Sequence, residues 1–156
     1  MLRAVPNRWF SWNFTIFDNT TAIAKIDLAW VREAGELQIH KESYKVYRER
    51  MFKGDFILQG DNVILARAEK PSAFIRSFRV AYNNKQYILE AESAFQRKFV
   101  LREGEQIIGS VVPEHAFTRK ARIDLPAEIE LPVKVFLAWL VIILWKRAAD
   151  SAAAGS

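Results

Sequence analysis

The chain has 156 residues, a formal net charge of +5 and no cysteine. That length suits one domain with one core, and the missing cysteine excludes disulfides, thiolate metal sites and a cysteine nucleophile together. The moderate positive charge predicts weak attraction to phosphates or anionic lipid surfaces, and nucleic acid is not expected as a partner.

Residues 1–13 lack the apolar segment of about 7–15 residues that a secretory signal requires, so a cytoplasmic protein, at most peripheral at a membrane, is expected. From Trp9 to Asp18, Trp12, Phe14 and Ile16 alternate with Ser11, Asn13 and Thr15, the period of a strand with one buried face. Thr21 to Trp30 repeats the pattern with Ala24, Ile26 and Leu28, after a turn at Asp18-Asn19. Tyr44 to Arg48 is again extended. Phe56-Ile57-Leu58 leads through Gln59-Gly60-Asp61-Asn62 into Val63 to Ala66, a hairpin pattern.

Phe74, Phe78 and Val80 share one face of the next predicted strand, and Asn83-Asn84 tolerates the positive φ of the tight turn before Gln86 to Glu92. From Phe95 the chain continues through Phe99 and Leu101, a Glu103-Gly104-Glu105 turn, and Ile107 to Val111. At a spacing of about 43 residues, Phe56 falls on Phe99, Leu58 on Leu101, Ile64 on Ile107 and Ala66 on Gly109. This one-hairpin match reads either as a duplicated unit or as two hairpins solving the same packing problem. A last strand is predicted from Ala116 to Ile123, with Phe117, Ala121 and Ile123 inward.

The segment Leu131 to Trp145 has no polar residue on any helical face from Val135 onward. Such a helix is either a membrane span or buried on all sides. Its run of about 13 apolar residues makes about 20 Å of helix against about 30 Å of hydrocarbon, which favours a buried helix over 132–147. Phe136, Trp139, Leu140, Ile143 and Leu144 are its expected core contacts. Residues 148–156, with little to bury, are expected to form a disordered tail after a domain spanning 1–147.

Ten to twelve short strands at hairpin spacing, followed by one wholly apolar helix, predict a mainly β protein. Closure into an antiparallel barrel of about twelve strands removes the exposed edges, and the helix then fills a lumen too wide for strand side chains.

This pattern resembles the tubby C-terminal-like superfamily, which includes tubby domains, phospholipid scramblases and LURP-one-related proteins. The resemblance rests on the hairpin Phe56 to Ala66, the strand Phe95 to Leu101, and the ending Arg122-Ile123-Asp124-Leu125-Pro126 followed by the apolar helix to Trp145. It implies a twelve-stranded antiparallel barrel around a central helix and, by analogy with tubby domains, phosphoinositide binding through exterior basic side chains. The proline-rich, palmitoylated cysteine-rich and calcium-binding segments of scramblases have no counterpart here.

The anion-binding candidates are Arg119, Lys120 and Arg122, supported by Arg97, Lys98 and Arg102 and by Arg76 and Arg79. Strand parity places Lys120 and Arg122 on the outer face and Arg119 with the apolar set. The alternative is that all are solvated outer-face residues. Trp9, Phe10 and Trp12 are read as core of the first strand rather than as an interfacial anchor. His40 and His115 make a metal pair only if the fold brings them together. No phosphate loop, nucleophile elbow or zinc motif is present, so neither a cofactor nor catalysis is expected. The leading expectation is a monomeric, non-enzymatic barrel that binds an anionic membrane surface or phosphorylated lipid. The alternatives are a structural or protein-interaction module without lipid affinity, and a protein anchored in a membrane by its C-terminal helix.

Overall fold

The structure, a computed structural model, describes residues 1–29, 32–50, 53–72, 75–93 and 96–155, with Lys53 described in its backbone only. Twelve antiparallel strands close into a barrel: β1 (Leu2–Pro6), β2 (Phe14–Asp18), β3 (Thr21–Leu28), β4 (Ala34–Ile39), β5 (Glu42–Arg50), β6 (Lys53–Gly60), β7 (Val63–Glu69), β8 (Ser77–Tyr82), β9 (Lys85–Ala91), β10 (Phe99–Glu103), β11 (Gln106–Pro113) and β12 (Ala121–Asp124). Each strand pairs with its sequence neighbour, and β1 pairs with β12 to seal the cylinder.

The single helix α1 (Leu131–Ala154) fills that cylinder. Every residue from Val135 to Trp145 is buried, including Phe136, Trp139, Leu140, Ile143 and Leu144. Phe136 stacks on Trp139, whose ring also meets Phe56 edge-on. Because the lumen is apolar, the indole N–H of Trp139 finds no acceptor there. The apolar stretch thus lies inside the protein's own barrel. No helix among the described residues is long and apolar enough to cross a membrane.

A threefold repeat of four strands underlies the barrel. Ala4, Val46 and Leu89 lie opposite Ile16, Leu58 and Leu101. These face Ala24, Ala66 and Gly109, and a bulge follows each of Ile16, Leu58 and Leu101. Phe14, Phe56 and Phe99, all fully buried, hold one equivalent position, and Ile26, Ala68 and Val111 stand opposite them. The period of about 43 residues seen in one hairpin pair therefore runs through the whole barrel. The tight turns repeat it with positive-φ residues at Asn19, at Asp61-Asn62 and at Gly104.

Three sequence expectations are corrected. The first strand is Leu2–Pro6, and residues 7–13 form a connection. The last strand begins only at Ala121; Phe117 precedes it with φ 66° and full exposure, so it is not an inward strand residue. The helix runs to Ala154, so residues 148–154 are helical and Lys146 and Arg147 are not at its end. Alanines are the strongest helix formers, and Lys146 pairs with Asp150 one turn on at 2.7 Å. Trp30, Phe74 and Phe95 lie outside the described residues.

Candidate functional site

The up-and-down order gives the barrel two unlike ends. Tight turns such as Asp61-Asn62 and Asn83-Asn84 surround the point where the helix enters. The longer connections gather at the other end, where the helix leaves: 7–13, 29–33, 70–76, 92–98 and 114–120. His40 stands in the turn between β4 and β5 and His115 in the connection between β11 and β12, at opposite ends, so they make no metal pair. Among the described residues no group of three His, Cys, Asp or Glu side chains forms a metal site.

At the helix-exit end, arginine side chains close the core. Arg119 lies over Trp12, Arg76 over Phe99, Arg48 over Phe56, and Arg97 over the helix residue Trp145. A guanidinium can cover an aromatic face while its edge N–H groups bind elsewhere. Arg119 donates to the carbonyls of Ser11 and Arg8, tying the last connection to the first. Arg76 donates to Gln96 O, and Trp145 Nε1–H donates to Arg97 O. Burial lowers the pKa of Arg76, Arg97 and Arg119 from the ordinary arginine value. These cations are partly desolvated and occupied with holding the mouth together.

Of the predicted anion ligands, Arg119, Lys120, Arg97 and Lys98 come together at this end, on the neighbouring 92–98 and 114–120 connections. Arg122 does not join them; it lies on the outer wall of β12, opposite Arg3 of β1. Arg102 and Arg79 are wall residues too, and Arg102 pairs with Glu90 at 3.5 Å. Lys98 pairs with Glu92 at 3.2 Å. Lys120 is exposed and has no ion pair among the described residues, and the same holds for Arg8, Arg32 and Arg50 at this end.

Compared with family models, curated proteins and solved structures, the chain matches none.

Between these cations the connections expose large apolar side chains: Trp9 is 86% exposed, Phe10 61%, Ile75 53% and Phe117 102%. The core reading of Trp9 and Phe10 is thereby overturned. Only Trp12 is packed on the core, next to Phe14 and under Arg119. Alternation had suggested a strand because these residues happen to be spaced like one. Phe10 and Phe117 crown connections on either side of β1 and β12, a proximity that only closure of the barrel creates.

Beside the emerging helix a half-open cavity of about 790 Å³ lies between the 29–33 connection, β5 and α1. Leu28, Ala34 and Ile143 contribute apolar lining, and Arg32, Arg48, Arg50 and Arg147 contribute charge. Glu33 accepts hydrogen bonds from both Arg48 and Arg147 there. Nearby, burial, with Arg147 and Arg48 adding repulsion, lowers the pKa of Lys70. Arg8, Arg32, Arg50, Glu33, Ile75 and Phe117 were missed by sequence reasoning. The signal available was that the basic residues recur beside isolated aromatics between strands, which is legible once the strand ends are known.

Proposed function

We propose that this protein is a non-enzymatic barrel domain that docks its helix-exit end on an anionic membrane surface bearing phosphorylated lipid. One observation carries the reading: four large apolar side chains, Trp9, Phe10, Ile75 and Phe117, stand exposed at an end that also presents Arg8, Arg32, Arg50 and Lys120, all exposed and outside any ion pair among the described residues. Aromatic rings favour the headgroup level of a bilayer, and each Lys or Arg near an anionic leaflet contributes about 1 kcal/mol. Exposed aromatics and unpaired cations on one end are separately ordinary; together they are complementary to a surface with phosphates outside and hydrocarbon beneath. A closed twelve-stranded barrel around one apolar helix is the arrangement the tubby-like resemblance implies, and it supports reading the chain as a compact domain of that kind. The helix-filled lumen supports binding rather than catalysis, since the usual interior cavity for chemistry is occupied.

Co-sedimentation with vesicles tests this. The protein is expected to pellet with vesicles containing phosphatidylserine and a phosphoinositide, to release in high salt, and to bind more weakly after joint Trp9→Ser and Phe117→Ser substitution. Equal recovery on neutral phosphatidylcholine vesicles overturns the reading.

A second reading, a protein-interaction module, is favoured by Val63, Ile64 and Ile107, which lie exposed just after tight turns at the opposite end. A stable partner recovered by pull-down, whose binding survives Lys120→Glu and Arg122→Glu, supports that reading.

A further inference from the structure

The half-open cavity at the helix exit is a second feature of the same end, and vesicle docking does not require it. Its volume of about 790 Å³ lies in the usual range of small-molecule sites, about 300–1,000 Å³. Leu28, Ala34 and Ile143 give it an apolar side, continuous with the core. Its charges are unevenly satisfied. Glu49 is held by Arg67 and acts on Arg50 only from a distance, and Asp150 is held by Lys146. Arg32 and Arg50 make no ion pair among the described residues. That leaves Glu33, a single carboxylate shared by the guanidinium groups of Arg48 and Arg147.

Two guanidinium groups converging on one carboxylate make the geometry by which arginine recognises carboxylates and phosphates in general. Glu33 belongs to a surface connection, whereas Arg48 is on a strand and Arg147 on the central helix. The cationic half of the pair is therefore fixed by the barrel, and the anionic half is carried on a connection between strands. Both partners remain half-buried, with 17% and 23% side-chain exposure for Arg48 and Glu33, so an exchange of anions is open to the solvent side.

We propose that this cavity binds a single-chain anionic amphiphile, whose phosphate or carboxylate head replaces the Glu33 carboxylate on Arg48 and Arg147 while its chain lies along Leu28, Ala34 and Ile143. Glu33 is then a built-in competitor that occupies the head site when no ligand is present. A neutral amphiphile lacks the head that displaces it, and a free phosphate lacks the chain that offsets the loss of the Glu33 contacts.

Titration calorimetry on the full chain tests the assignment, using dodecyl phosphate below its micelle concentration, with myristate, inorganic phosphate and dodecyl maltoside as separate arms. Dodecyl phosphate and myristate are expected to bind one per chain, and phosphate alone and the maltoside about tenfold or more weaker. Glu33→Gln removes the competitor and should tighten dodecyl phosphate binding about tenfold, whereas Arg48→Gln should weaken it by a similar factor. Arg147→Lys keeps the charge and loses the two-pronged contact, and it gives the same weakening if Arg48→Gln does not fold. An exclusively structural Glu33 predicts the opposite pattern: lower melting temperature for Glu33→Gln with no gain in affinity. That result overturns the proposal, as does absence of binding or equal binding of the maltoside. Vesicle co-sedimentation of Glu33→Gln should be unchanged, which separates failure of this site from failure of surface docking.

Discussion

Leu58 and Leu101 occupy one and the same place in two hairpins: each stands opposite a small residue, Ala66 or Gly109, and each is followed by a bulge. Ile16, opposite Ala24, is the third member of the set. A helix of wholly apolar surface has to be met by a smooth ring of side chains, and repeating one packing solution three times around the barrel provides it.

The small residues in that set are not interchangeable. A Cβ on Gly109 would lie 2.6 Å from Asp124 O and 3.0 Å from Leu125 Cδ2, so backbone or neighbouring strand must shift. Gly109→Ala is expected to lower stability by about 1–3 kcal/mol through overpacking. Ala66→Gly at the equivalent position should cost only about 0.5–1 kcal/mol. Thermal unfolding followed by circular dichroism compares the two, and equal, small losses would contradict the close approach of β11 and the chain after β12.

Leu140 is fully buried at the centre of the helix, where no polar group is available to a charge. Leu140→Asp should cost more than about 4–5 kcal/mol and prevent the domain from folding. A soluble variant with an unchanged strand spectrum would show that the helix does not fill the barrel.

The mouth cations divide into two classes by what they touch. Arg97 covers Trp145 at 4.4 Å, and Arg97→Ala should cost about 1–2 kcal/mol and red-shift tryptophan emission as water reaches the ring. Lys120, exposed and without an ion pair, should be replaceable by Ala within about 0.5 kcal/mol. Lys120→Ala should instead weaken binding to anionic vesicles. Loss of stability from Lys120→Ala together with none from Arg97→Ala would reverse the assignment.

Acid should open the barrel at its seam. Arg3 of β1 pairs with Glu114 in the connection before β12, and that hydrogen bond holds the Glu114 carboxyl below the usual value of 4.5. A folded-state pKa below the unfolded one means that the contribution is complete above pH 4.5 and disappears as pH falls through the lowered value. Glu114→Gln should therefore flatten the stability profile below that pH while changing little of its slope near neutrality. Denaturant unfolding at a series of pH values measures this, and a slope identical to that of the parent chain would exclude a role for the pair.

What residues 131–145 do was legible in the sequence alone, because an apolar surface on every side of a helix too short for a bilayer has few other solutions. The same is true of the tight turns, since Asn83-Asn84, Asp61-Asn62 and Gly104 carry their backbone preference locally. The rest depended on distant partners. Leu2–Pro6 has no alternation to announce it and is a strand because β12 and β2 supply its hydrogen bonds. Phe117 is exposed because its connection turns outward before Ala121, and its identity as an apolar residue argued for the opposite. The threefold repeat was visible only where side chains were alike; Ala4, Val46 and Leu89 differ in size and share a register, so strand pairing, a tertiary property, reveals it. The candidate site is likewise tertiary. Strands that alternate in direction send every second connection to one end, and closure brings Arg8 beside Arg119 and Glu33 beside Arg147, pairs that more than a hundred residues separate in the chain.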